Sequence, residues 1–399
     1  MDPIRNPYAP GAGCAPPELA GRDAVRDQVR ICIERLRYGR QAKSVILVGL
    51  RGVGKTVLLE KMRTDAENSG THTVHIEAPE DRSLPALIAP QLRQALLRLS
   101  LIESAKTYAI RGLRALAGFA SKLKVKYNDI EVGMDYDAEA GLADNGDLEM
   151  DLSALLEQAG TAARHADTVL TLFVDELQYV EEDQLAALIS ALHRCAQLSL
   201  PVTVVGAGLP QLRGKMGKAK SYAERLFDFP DIGPLDRQDA KEAIVKPAEK
   251  EGEEIQADAV DAILEKTKGY PYFLQEWGKH TWDVASGSPI TESDVERASS
   301  LAVAALDESF FRVRFDRLTP AEKRYLRGMA DLGPGPHRSG DIADRLGRKV
   351  QSFGPIRSTL IHKGMIWSPT HGDTAFTVPL FDEFMQRIMP GDAWKTVSE

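Results

Sequence analysis

Apolar and polar residues alternate along this chain in two rhythms. Residues 23–38 carry apolar positions at helical spacing, Ser44-Val-Ile-Leu-Val48 is a compact β-branched run, 55–69 is helical again and 71–76 is a short strand. Helix follows at 84–101, then 152–165, with an apolar strand at 169–174, a helix at 183–198 and a strand at 201–205 that runs into Gly206-Ala-Gly-Leu-Pro210. Such alternation predicts an α/β three-layer fold, a parallel sheet covered by helices on both faces. Between about 102 and 150 the rhythm breaks. Residues 122–127 and 130–134 alternate around Asn128-Asp129, predicting a hairpin within an insertion, and 135–151 is acidic.

From 236 to 313 only helical periodicity remains, with start signals at Asp236, at Gln256 to Asp258 and at Thr291-Glu-Ser-Asp294, and a break at Gly269-Tyr-Pro271. Residues 318–389 read as three helices followed by two short strands around Thr370-His-Gly-Asp373. Residues 1–18, rich in Pro, Gly and Ala, are expected to drape over the surface as a flexible tail. The expected organisation is thus a tail (1–18), an α/β domain (19–235), a small all-helical domain (236–313) and a C-terminal module (314–399).

Composition narrows the function classes. In 399 residues, 43% are hydrophobic and 27% charged, as in folded soluble proteins. No stretch approaches the roughly 18 apolar residues that a membrane helix needs, and the N-terminus has no apolar core of a signal peptide. A cytoplasmic location without a membrane partner is expected. Cys14, Cys32 and Cys195 have no metal-ligand spacing and read as free thiols. A net charge of -8 argues against a surface coated for nucleic acid, yet residues 314–387 hold twelve Lys and Arg against eight Asp and Glu. A basic module inside an acidic whole follows.

Gly49-Leu-Arg-Gly-Val-Gly-Lys-Thr56 fits the phosphate-binding P-loop, placed between a strand and a helix. Gly49, Gly52 and Gly54 allow backbone amides to turn around phosphates at a helix N-terminus, Lys55 offsets β/γ-phosphate charge, and the Thr56 hydroxyl suits Mg²⁺. The strand ending Phe173-Val-Asp-Glu176 offers the carboxylates a hydrolase needs, Asp175 for the metal shell and Glu176 to deprotonate the attacking water. Gln178 and Tyr179 follow, suited either to placing that water or to packing and capping. ATP and Mg²⁺ are the expected cofactors.

A P-loop, a strand ending in Asp-Glu and a helical domain after the sheet resemble the AAA+ ATPases, nearest to the origin-recognition-like clade that shades into the STAND ATPases. The resemblance spans about residues 19–390. Leu19-Ala-Gly-Arg-Asp23 is similar to the Gly-Arg-acid box of these families, which implies that Gly21 and Arg22 lie near the adenine. Gly269-Tyr-Pro271 resembles the Gly-x-Pro lid motif, implying a nucleotide contact for Pro271. Ser221-Tyr-Ala-Glu-Arg-Leu-Phe227 falls where such proteins place an arginine that reaches a neighbouring subunit's γ-phosphate, which nominates Arg225 and implies a nucleotide-dependent homo-oligomer; a structural ion pair with Glu224 is the alternative. Two departures imply slow hydrolysis: Gly206-Ala207-Gly208 stands where a polar sensor residue is usual, and the lid lacks a sensor arginine.

The C-terminal module resembles a winged helix-turn-helix, with Thr319-Pro-Ala-Glu322 opening the first helix, 338–346 in the second, 350–363 as the third and a wing at 365–378. This implies duplex DNA contacts by Arg348, Lys349, Gln351, Ser352, Arg357 and Lys363. Gly354-Pro355 is compatible with the third helix if that helix begins at Pro355. Alternatives stay open: a signalling or scaffolding ATPase whose winged helix docks protein and whose 102–150 insertion engages a protein partner, a nucleotide binder that hardly hydrolyses, and, more remotely, a P-loop kinase.

Overall fold

A computed structural model of the chain describes residues 1–395 apart from 12, 81, 125, 128–129, 131–132 and 134–135. The chain forms two compact units, one of Arg22–Val48 with Lys55–Asp231, the other of Met1–Gly21, Gly49–Gly54 and Ile232–Glu399.

The first unit is built on five parallel strands in the order β2-β3-β4-β1-β5. They are β1 (Ser44–Val48), β2 (His72–Glu77), β3 (Leu170–Asp175), β4 (Val202–Gly208) and β5 (Phe227–Asp228). Every residue of β1, β3 and β4 is buried, because helices cover both faces of a parallel sheet, while β2 at the edge is only partly buried. Helices Asp23–Arg37, Lys55–Asn68, Leu84–Ser100, Lys106–Leu123, Leu148–His165 and Glu182–Gln197 supply the cover. This parallel sheet with flanking helices is the three-layer P-loop NTPase fold.

Two expectations for the insertion are corrected. Lys122 and Leu123 do not begin a hairpin strand but close the helix Lys106–Leu123, whose buried Ala109, Leu113, Leu116, Phe119, Ala120 and Leu123 repeat every three or four residues. The Tyr127 amide then donates to the Leu123 carbonyl at 2.8 Å, a helical rather than an extended bond. Periodicity established over four turns outweighs an alternation of six residues. The hairpin's centre, Asn128 and Asp129, lies outside the described residues. Helix Leu148–His165 also starts four residues earlier than expected, capped by the Asp147 carboxylate, which accepts from the Met150 amide at 2.9 Å.

In the second unit, helices Arg237–Lys250, Ala257–Thr267, Pro271–Val284 and Glu292–Ala305 are followed by a π-helical stretch, Leu306–Phe311, and helix Arg312–Asp316. Thr291 with Asp294 and Thr319 with Glu322 form capping boxes where the sequence marks helix starts. Beyond them come helix Pro320–Ala330, β6 (His337–Arg338), helix Ser339–Arg345, helix Gly354–His362, β7 (Ile366–Trp367), β8 (Asp373–Phe376) and helix Phe381–Ile388. The three strands pair antiparallel in the order β6-β8-β7. Strand β6, two residues long, carries no readable periodicity and escapes sequence reading. The helix expected at 350–363 is a 3-10 turn, Val350–Phe353, and then the helix Gly354–His362 with Pro355 in its first turn, where proline costs no hydrogen bond.

The expected surface tail does not describe residues 1–8. Tyr8 is buried, its ring set edge-on to Trp282 at 6.5 Å and its hydroxyl donating to the Ile244 carbonyl. Trp282 Nε1 donates to the Asp2 carbonyl at 2.9 Å, and Asn6 Nδ2 to Asp283 Oδ1 at 2.8 Å. A single aromatic anchor leaves no periodic trace, so a Pro-rich segment that packs reads like one that does not.

Candidate nucleotide site

Six of the eight predicted phosphate-loop residues, Gly49–Gly54, group with the second unit, and each glycine has a steric reason there or in its own backbone. A Cβ on Gly49 would overlap the Ile232 carbonyl oxygen. Gly52 and Gly54 have φ of 79° and 86°, a region that side-chain-bearing residues rarely enter. The Gly52 carbonyl accepts from the Tyr272 amide at 3.2 Å, one residue past Pro271, and the Arg51 amide donates to the Thr377 carbonyl, just beyond β8, at 2.9 Å. Arg51 Nε also reaches the Gly364 carbonyl at 3.5 Å. Arg51 was not among the residues that sequence reasoning singled out, because a variable position inside the motif carries no type signal.

Lys55 and Thr56 open the helix Lys55–Asn68 in the first unit, with Lys55 buried despite its charge. Asp175, the last residue of β3, is 4% exposed, and its carboxylate is hydrogen-bonded to the Thr56 side chain and accepts the Glu176 amide at 2.8 Å. Burial pushes the Asp175 pKa above the ordinary aspartate value. The Thr56 hydrogen bond opposes that shift, the neighbouring Glu176 charge adds to it, and Lys55 lowers it. Glu176 is half-buried with φ 54° and ψ 35°, a left-handed conformation that costs a non-glycine residue about 1–3 kcal/mol and persists where surroundings enforce it.

The residue types fit Mg²⁺. A hydroxyl and a carboxylate, already hydrogen-bonded to each other, are hard oxygen donors, and Mg²⁺ commonly takes one or two carboxylates and leaves its other positions to phosphate oxygens and water. Among the described residues no group of three or more His, Cys, Asp or Glu forms a self-sufficient metal cluster, which such a shared shell does not require. Metal binding needs Asp175 ionised, so the raised pKa predicts a pH dependence. As pH falls through that raised value, the Mg²⁺-dependent part of ATP-induced thermal stabilisation declines, starting above the pH of about 4 where an ordinary aspartate loses its charge. A melting series across pH, with and without Mg²⁺, checks this; a Mg²⁺ effect that is constant down to about pH 4 counts against it.

Gln178 is buried rather than peripheral. Its side chain donates to the Glu176 carboxylate and accepts the Leu209 amide at 3.0 Å, while its backbone carbonyl accepts from Lys215 Nζ at 3.0 Å. Burial lowers the Lys215 pKa. Neither Lys215 nor the Leu209 amide was foreseen, since both come from the segment after β4 and meet Gln178 only through folding.

The remaining nominated residues are placed as follows. Gly21 has φ 66°, and a Cβ there would overlap the Asp239 carboxylate, while Arg22 stands at the N-cap position of the helix Asp23–Arg37 without a side-chain capping bond. Pro271 is the first residue of Pro271–Val284, after Gly269, whose carbonyl accepts the Leu235 amide at 2.9 Å. Arg225 is exposed on the single turn Ala223–Leu226, and no ion pair joins it to Glu224 or to another described residue. Arg348, Lys349, Gln351 and Ser352 are exposed before the helix Gly354–His362. Arg357 and Lys363 are both hydrogen-bonded within the C-terminal module. Arg357 is bonded to Thr374 Oγ1 at 3.0 Å, to Ser368 and to the Asp373 carbonyl, and Lys363 to Glu322 at 2.8 Å and to the Arg317 carbonyl at 3.1 Å. Lys363 is ion-paired with Glu322, whereas the partners of Arg357 are neutral oxygens.

Comparison with known proteins bears on the fold. Residues 18–205 match the family model described as AAA ATPase domain, and residues 308–385 match a domain of unknown function (DUF8462). No curated protein matches the chain in sequence. Among solved structures, the Walker-type ATPase of Pyrococcus abyssi aligns at 14% identity with a TM-score of 0.57, covering 92% of this chain and 96% of that one. The Aeropyrum pernix ORC1 protein in complex with DNA aligns at 13% identity and TM-score 0.47 over 93% of both chains. The Thermotoga maritima RuvB Holliday junction branch migration motor gives 16% identity and TM-score 0.45 over 90% of this chain and 94% of its own. The parallel sheet, the P-loop sequence and the buried acid at the end of β3 all lie in or next to residues 18–205, the part of the chain that is similar to the AAA ATPase domain.

Proposed function

We propose that this protein is an ATP-driven switch that hydrolyses ATP slowly, with nucleotide state controlling self-association and, through a C-terminal winged helix, binding to duplex DNA. The observation that carries the switch is the pair of backbone bonds leaving the phosphate loop. Gly52 is tied to the start of the helix Pro271–Val284, and Arg51 to Thr377 beside β8. A nucleotide seated in the loop acts directly on the strand of chain to which both are attached, so its presence is transmitted to the lid and to the C-terminal module without a long relay.

Gly49, Gly52, Gly54, Lys55 and Thr56 would hold the phosphates, Thr56 and Asp175 the metal, and Glu176 would take the proton of the attacking water. Bound Mg²⁺ would neutralise charge developing on the phosphates. Gly21, Arg22 and Pro271 would contact the nucleotide, and an exposed, unpaired Arg225 suits a residue offered to a neighbouring subunit. The order helix, strand, helix, helix, strand, strand from Pro320 to Phe376 supports the winged-helix reading, leaving Arg348, Lys349, Gln351 and Ser352 as the DNA-facing set.

The internal engagement of Arg357 and Lys363 favours a second reading, a STAND-like scaffold whose winged helix docks protein. ATP turnover across a protein concentration series, with and without duplex DNA, separates the two. The first reading expects specific activity to rise with concentration, to fall about tenfold or more in Arg225→Ala, and duplex affinity to drop steeply with salt, the slope lessening by about one for each of Arg348→Ala and Lys349→Ala. Nucleotide-dependent self-association without DNA affinity selects the second. Flat, near-zero turnover with tight ATP binding removes hydrolysis from either.

A further inference from the structure

Strand β4 ends in Gly206-Ala207-Gly208, so it offers no polar side chain at the sheet edge where the acids of β3 end. The space is not empty. A Cβ on residue 208 would come within 2.9 Å of Gln178 Oε1 and 2.6 Å of the Leu212 side chain, so glycine there is what admits the glutamine amide. The two ends of that amide are distinguished by chemistry. Leu209 presents a backbone N–H, which only donates, so it faces Oε1 at 3.0 Å; the nitrogen end is left to donate to the Glu176 carboxylate, which only accepts when ionised.

We infer that Gln178 is the positioning residue for Glu176, its buried amide bridging the end of β4 to the carboxylate and supplying from the segment after β3 the polar group that β4 lacks. The inference rests on the reading of Glu176 as the group that activates water. Glu176 leaves a left-handed backbone with several side-chain rotamers open to it, and a hydrogen bond from a fixed, buried donor selects one of them. Lys215 holds the Gln178 backbone carbonyl at 3.0 Å, which fixes the donor from the other side. Gln178 acts through Glu176 and has no assigned contact with nucleotide.

Steady-state ATP turnover, resolved into kcat and KM, tests this in the full chain, for wild type, Gln178→Ala, Gln178→Glu, Gly208→Ala and Glu176→Gln, with MgATP binding measured in parallel. Gln178→Glu keeps an acceptor for the Leu209 amide but replaces the donor facing Glu176 with a second carboxylate, so the bond that fixes Glu176 is lost and kcat falls with the KM for MgATP little changed. Gln178→Ala and Gly208→Ala lower kcat on the order of 10- to 100-fold with the KM for MgATP little changed, since misplacing a reacting group by about an ångström has such an effect. Should Gln178→Ala fail to fold, Gln178→Glu and Gly208→Ala still decide. Wild-type kcat in the Gln178 variants, alongside an inactive Glu176→Gln, would overturn the positioning role alone. A wild type without turnover, or a Glu176→Gln variant as fast as wild type, overturns the assignment of Glu176 and this role with it.

Discussion

Glu176→Gln is expected to leave ATP binding within about twofold of wild type and to cut turnover by about 10²- to 10⁴-fold, the usual worth of a positioned general base. The substitution is nearly isosteric, so the half-buried side chain keeps its place, and the left-handed backbone at this position is as acceptable for Gln as for Glu. What disappears is the ability to take a proton. The change also removes the neighbouring charge that raises the Asp175 pKa, so the Mg²⁺-dependent stabilisation should persist to slightly lower pH than in wild type. Equilibrium nucleotide binding measured beside single-turnover hydrolysis separates the two effects. Loss of binding together with turnover would place Glu176 among the structural residues, and unchanged turnover would remove it from the chemistry.

Lys55→Ala is expected to abolish ATP binding. The ammonium is buried, where its attraction for a polyphosphate is screened far less than at the surface. A bound ligand at about 100 times its dissociation constant stabilises a fold by about 2.7 kcal/mol, and this increment should vanish in the variant. The ligand-free variant should melt below wild type, because the buried Asp175 loses a neighbour that favours its charged form. Differential scanning fluorimetry with an ATP titration reads both quantities. An undiminished ATP shift in Lys55→Ala would end the phosphate-loop assignment, whatever the turnover of other variants.

The candidate nucleotide site was proposed from the sequence because its requirements are local. Eight consecutive residues between a strand and a helix specify a phosphate loop, and an apolar strand long enough to cross a sheet delivers Asp175 and Glu176 to its end. The capping boxes at Thr291 and Thr319 were equally readable, since their partners lie three residues away. The failures share the opposite property. Reading 122–127 as an extended segment relied on a short alternation whose meaning depends on the helix that precedes it. Treating the first eighteen residues as a tail overlooked Tyr8, whose partners Ile244 and Trp282 are more than 200 positions away. The ion pair of Lys363 with Glu322, 41 positions away, was likewise invisible, because charge can be read in a sequence and its distant partner cannot.

The amino-acid sequence by itself determined the parallel α/β fold class, the phosphate loop and the acidic pair, all set by residue type and spacing within single elements. Tertiary structure alone decided the surroundings that tune them: the burial that lifts the Asp175 pKa, the bond from Arg51 to Thr377, and the seating of Gln178 over Gly208 against Glu176. The physical reason is the range of the forces involved. Propensity, capping and loop conformation act over a few residues of chain, whereas desolvation and hydrogen-bond geometry depend on which distant segments pack at ångström distances.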